Sequence, residues 1–129
     1  MRTAACSCGS LTVACEGEPV RISMCHCLAC QRRSGSVFAV QARWPVERVA
    51  IAGPSRAFVL TGDEGGKATF QFCPTCGATV YYEADGLPGM IAVPVGAFAD
   101  PSFPPPQYSV YETRRHPWVG MPPDIEHHA

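Results

Sequence analysis

The chain reads as short apolar segments separated by turn residues, and in one of them apolar residues recur at every second position, the period of extended backbone with one buried face. In LTVAC (11–15), Leu11, Val13 and Cys15 share one such face. SVFAVQA (36–42), RVAIA (48–52), RAFVL (56–60), KATFQF (67–72), ATVYYE (78–83) and MIAVPVG (90–96) are rich in β-branched and aromatic residues and read as further strands. Turn residues punctuate them: GEP, GPS, GDEGG and DGLPG. TGDEGGK (61–67) reads as a hairpin loop between two of these strands. Helical periodicity is poor, and the best candidate is a short turn at 28–33. DPSFPPPQ (100–107) holds too many prolines for a central strand or a helix and reads as a surface connection. YSVYE (108–112) can add one more strand, and 113–129 reads as an irregular tail.

The pattern predicts one mainly β domain over 1–129, built from two small packed sheets. No apolar run approaches a membrane span, and the N-terminus carries no secretory pattern. A cytoplasmic location is therefore expected. The formal net charge is −1, with no basic block. That argues against a nucleic-acid partner.

Cysteine changes the picture. Eight are present, at 6, 8, 15, 25, 27, 30, 73 and 76. The reducing compartment implied by the missing leader disfavours disulfides. So does a cysteine share below the roughly 8–10% of disulfide scaffolds. The spacings C-x-C, C-x-C-x2-C and C-x2-C suit convergence on a metal. FCPTCG (72–77) reads as a zinc knuckle, with Pro74 at the first turn position and Gly77 letting the backbone swing. CSCG (6–9) supplies a second pair, because residues i and i+2 of an extended chain point to the same side. Cys6, Cys8, Cys73 and Cys76 are thus expected to form a closed structural zinc site, a staple without which the fold should not survive. Cys25, Cys27 and Cys30 make a second group of three, the count of an open, catalytic zinc site. Cys15 or His26 could close it. The plainer reading makes Cys15 a buried core thiol and His26 a surface or hydrogen-bonded imidazole.

CSCGSLTVACEGEP, CHCLACQRRSG, FCPTCGATVYY and the tail RRHPWVGMP together resemble the glutathione-dependent formaldehyde-activating enzyme family, also called the centromere protein V family. The resemblance implies a β-tent fold. It implies two Zn2+ per chain: one structural, on Cys6, Cys8, Cys73 and Cys76, and one on Cys25, Cys27 and Cys30 that stays open to a thiol. Cys15 lies outside the pattern. The proline-rich segment and Met121-Pro122-Pro123 read as local variation at the pocket rim.

The activity so implied is carbon–sulfur lyase chemistry, in which a glutathione-like thiol and formaldehyde or another aldehyde condense to an S-hydroxymethyl adduct. Seven thiolates and two zincs would take the chain to a net charge of about −4, and glutathione is anionic, so cationic helpers are expected. Arg32 and Arg33 are the first candidates for its carboxylates, and Arg114, Arg115 and His116 the second. Trp118, Tyr81 and Tyr82 read mainly as packing residues. The alternative is a non-catalytic zinc-stabilised binding module with two structural metals. Metal storage or thiol-redox sensing is a third reading.

Overall fold

The structure, a computed structural model, describes residues 1–62 and 64–129. Its strands are β1 (Arg2–Ala5), β2 (Thr12–Cys15), β3 (Arg21–Cys25), β4 (Ala39–Pro45), β5 (Val49–Ala52), β6 (Arg56–Thr61), β7 (Lys67–Phe72), β8 (Thr79–Ala84), β9 (Met90–Pro94), β10 (Tyr108–Val110) and β11 (Glu126–His127). One α-helix, α1 (Leu28–Ser34), follows β3. The strands form two sheets, with orders β1-β2-β5 and β11-β10-β3-β4-β9-β8-β7-β6. The two contacts of β10 are parallel, and the other pairings are antiparallel.

Most of the expected strands fall where β-branched and aromatic residues between turns placed them. The expected 36–42 strand begins three residues later and runs on to Pro45. The reason is the end of α1: its cap at Gly35 leaves Ser36–Phe38 as a bend, with Val37 and Phe38 packed on a small cluster around Met24, Val119 and Ile125. β1, β3 and β11 were not foreseen. The expected loop 61–67 joins β6 to β7, closed by Gly62 N–H on Gly66 O at 2.7 Å; Asp63 within it lies outside the described residues.

The main core lies between the sheets. Leu11, Val13 and Cys15 from the small-sheet side meet Ile22, Trp44, Ile91 and Val93 of the large sheet, and all seven are essentially inaccessible to water. Each large apolar side chain buried this way contributes about 1.5–3 kcal/mol. Trp44 satisfies its one polar atom by donating Nε1–H to Gly17 O at 3.1 Å, as a buried indole must. The opposite face of the large sheet carries the polar partners of the alternation, Arg21 and Ser23 on β3 and Gln41 and Arg43 on β4. That face is the floor of the cleft described next.

Candidate metal centres and the adjoining cleft

Cys6 and Cys8 sit in the turn between β1 and β2, and Cys73 and Cys76 in the turn between β7 and β8. The two turns bring all four sulfurs within 4.8 Å of one another. Cys8 Sγ lies 3.6 Å from both Cys6 Sγ and Cys73 Sγ. A tetrahedron with zinc–sulfur bonds of about 2.3 Å has edges of about 3.8 Å, so the donor set fits zinc. Hydrogen bonds favour the thiolate at two of the four, Cys6 and Cys73. The Leu11 amide donates to Cys6 Sγ at 3.3 Å and lowers that thiol to about 7. The Ser10 hydroxyl and then the Cys76 and Thr75 amides lower Cys73 to about 5. Ser10 Oγ reaches Cys8, Cys73 and Cys6 at 3.2, 3.3 and 3.8 Å. Two glycines shape the surroundings. Gly77, at φ +80°, turns the knuckle so that its N–H bonds Cys73 O. A Cβ on Gly53 would come within 1.8 Å of Ser10 O, so the loop before β6 can press on Ser10 only as glycine.

The second group is assembled locally. Cys25 ends β3, Cys27 is the N-cap of α1, and Cys30 lies in the first turn of that helix. Cys27 Sγ accepts the Cys30 amide at 3.3 Å, doing the work usually done by a serine or aspartate oxygen. The three sulfurs lie within 4.8 Å of one another, and among the described residues no fourth Cys, His, Asp or Glu joins them. Donation from the Cys25 and Cys30 thiols lowers Cys27 to about 2 and, by the same contact, pushes Cys25 up. Neither residue considered as a closing ligand joins the group. Cys15 is buried in the main core, its thiol pushed up to about 11 by desolvation. His26 is fully buried and points its Nε2 at Ser109 Oγ, 3.0 Å away.

Beside this group lies a cleft of about 440 Å³. Its floor contains one cross-strand row of the large sheet: Arg21, Arg43, Ala92, Tyr82 and Phe70 follow each other as direct partners across β3, β4, β9, β8 and β7. Arg33 also lines it, with its guanidinium carbon 5.1 Å from the Phe70 ring centre and 5.5 Å from that of Tyr82. Burial, and then the nearby Cys30 sulfur, push the Tyr82 phenol up, so it stays protonated. Arg32 is placed differently. It is exposed and borders an apolar recess of about 270 Å³ with Phe58, Leu60, Phe70 and Phe72, which shares Ala29, Arg33, Leu60 and Phe70 with the cleft. Tyr81 faces the main core.

Arg114, Arg115 and His116 do not line the cleft. His116 Nε2 meets Gln31 Oε1 at 2.9 Å, while Gln31 Nε2 donates to His26 O and Arg114 O. These contacts tie the tail to α1. Arg115 donates to Val119 O, and Trp118 is largely exposed. Sequence reasoning missed Arg21, Arg43, Ser10 and the rim residue Tyr111, a non-glycine at φ +56°. The signal for Arg21 was the period-2 alternation of RISMC, overshadowed by its cysteine.

The fold and the two sulfur groups define a mainly β protein with one four-cysteine and one three-cysteine cluster able to coordinate metal ions. Residues 1–114 match the family model described as "Glutathione-dependent formaldehyde-activating enzyme", and the chain belongs to that family. The match contains all eight cysteines and ends at Arg114, the first residue of the tail motif. Membership supports an enzyme of the general thiol–aldehyde condensing type. The crystal structure of a Rhodobacter sphaeroides protein is similar in fold, with a TM-score of 0.58 and 20% identity over 80% of this chain and 91% of that one. A search of curated proteins returns no significant match. Among the described residues, no helix is long and apolar enough to cross a membrane.

Proposed function

We propose that the chain is a zinc-dependent carbon–sulfur lyase that joins a small glutathione-like thiol to an aldehyde at the three-cysteine group, the other cluster holding a structural zinc. The observation that carries this reading is the contrast between the clusters. One offers four sulfurs and the other three, beside a cleft, with no fourth ligating side chain among the described residues. Zinc held by Cys25, Cys27 and Cys30 would supply a soft site that favours the thiolate form of an incoming thiol.

The chain's own residues supply the rest. α1 and the end of β3 fix the three cysteines against the cleft wall, so a bound thiol meets its partner at high effective concentration. Arg33 faces the same space and offers a carboxylate partner; its Nε and Nη2 are buried with no hydrogen-bond partner. Arg32, on the neighbouring recess, is the weaker candidate for that task. Phe70 and Tyr82 give the cleft an aromatic wall. In the overall reaction the thiol S–H adds across the aldehyde C=O. A carbon–sulfur bond forms, the carbonyl π bond becomes O–H, and no oxidant or reductant is needed. The reverse breaks that bond.

The closed-site alternative loses support because neither Cys15 nor His26 lies with the three sulfurs. The test is the rate of S-hydroxymethylglutathione formation from glutathione and formaldehyde. Zinc-loaded protein should accelerate it saturably above the spontaneous rate. An unchanged rate with both metals loaded, for formaldehyde and for larger aldehydes, contradicts the reading.

A further inference from the structure

We propose that Arg21 and Arg43 form a carboxylate-recognition pair that restricts the enzyme to anionic thiols of peptide length. The inference rests on the lyase reading only in assigning the thiol sulfur to the three-cysteine group. The anion site itself stands on separate observations.

Arg21 and Arg43 are direct partners in the antiparallel β3–β4 register, and both line the cleft. Like charges directly opposite each other destabilise a sheet. The cleft does nothing to relieve this: Arg33 adds a third guanidinium, and no Asp or Glu is among the described lining residues. Neither member of the pair enters an ion pair among the described residues. Arg21 is nonetheless held in place. Its Nε–H donates to Ser23 Oγ at 2.9 Å, and its guanidinium carbon lies 3.9 Å from the Tyr108 ring centre. That posture orients the guanidinium without neutralising it. Burial and the Arg21 charge both lower the pKa of Arg43, the sign of a cation short of a counter-ion. A bound carboxylate relieves the repulsion with charge-assisted hydrogen bonds.

The same strand face adds two constraints. Gln41, the register partner of Ser23, has a buried Oε1 with no hydrogen-bond partner, an acceptor for a ligand N–H beside the carboxylate. Arg21 and Cys25 are four residues apart on β3, about 13 Å at about 3.3 Å per residue. A thiol engaging both ends must span much of that distance. A peptide thiol does so, and a two-carbon thiol does not.

S-methylglutathione is the probe, because it keeps both carboxylates and its capped sulfur is a poor metal ligand. Calorimetric titration into the zinc-loaded protein should show salt-sensitive binding. R21Q and R43Q should each weaken it tenfold or more, and the dimethyl ester of the probe should bind wild type no better than S-methylglutathione binds the double variant. Removing one like charge should leave the melting temperature unchanged or raise it, which separates this role from a structural one. In turnover, both variants should raise KM for glutathione at least tenfold, with a much smaller change in kcat. Undetectable probe binding to wild type, unchanged binding in R21Q and R43Q, or equal affinity for the ester overturns the proposal. Displacement of the probe by inorganic phosphate but not by acetate overturns the carboxylate assignment. If the probe binds through the arginines while no aldehyde is turned over, the anion site stands and the lyase reading falls. If turnover persists with an unchanged KM in both variants, the reverse holds.

Discussion

The two sulfur clusters should differ sharply in what their removal does to the fold. The four-cysteine group joins segments far apart in sequence: Cys8 and Cys73 are 65 residues apart. A cross-link that closes a loop of that size removes about 4 kcal/mol of chain entropy from the unfolded state. The three-cysteine group joins only Cys25 to Cys30, across a turn that α1 already folds. Removing its last two ligands costs chiefly the N-cap of α1, about 1 kcal/mol. For a chain of this length each kcal/mol moves the melting temperature by about 4 °C. C73A/C76A should therefore melt about 15 °C lower than wild type, or fail to fold. C27A/C30A should stay folded, melt within about 8 °C of wild type, bind one zinc in place of two, and show no catalysis. Circular dichroism melts of zinc-loaded samples decide it. Equal destabilisation by the two double variants, or greater loss from C27A/C30A, refutes the division into a staple and a working site.

Other expectations follow from single residues. S10A removes a hydroxyl that reaches three sulfurs of the four-cysteine group, and should weaken that zinc 10- to 100-fold in competition with a chelator while leaving the other metal unaffected. Cys15, buried and raised to about 11, should resist iodoacetamide in the folded metal-loaded protein at pH 7.5, with its labelling rate rising only as pH approaches 11; fast labelling near neutrality would contradict its place in the core. W44A should cost about 3–5 kcal/mol in denaturant unfolding, since it empties an inaccessible site; a loss under 1 kcal/mol would show that the two sheets do not depend on it.

Much of this was legible in the chain because it is local. The alternation in KATFQF and the β-branched content of MIAVPVG are the β signal itself, and both became strands. The spacings C-x-C and C-x2-C fix where sulfurs can point, and the chain gathered them into the two expected groups. Arg33 over Arg32 was within reach too: three residues past Cys30 on a helix is the same face, and two residues past is not. What sequence reasoning missed depends on partners distant in sequence. Arg21 means little until β4 sets Arg43 opposite it. β11 exists only as a two-residue parallel pairing with β10. Ser10 looks like an ordinary turn residue until the knuckle at 73–76 arrives beside it. The place of the tail arginines, second candidates from sequence, was hidden for the same reason, since their neighbours are α1 and the tail itself.

The vacancy beside Cys25, Cys27 and Cys30 is tested most directly by titrating glutathione into protein carrying cobalt(II) at both clusters, and following the sulfur-to-metal charge-transfer band. One added thiolate joins the seven protein sulfurs, so the band should rise by about one part in seven and saturate at one equivalent per chain, with S-methylglutathione producing no rise. A band that stays unchanged at saturating glutathione would mean that no outside sulfur reaches either metal, and the lyase account would be wrong.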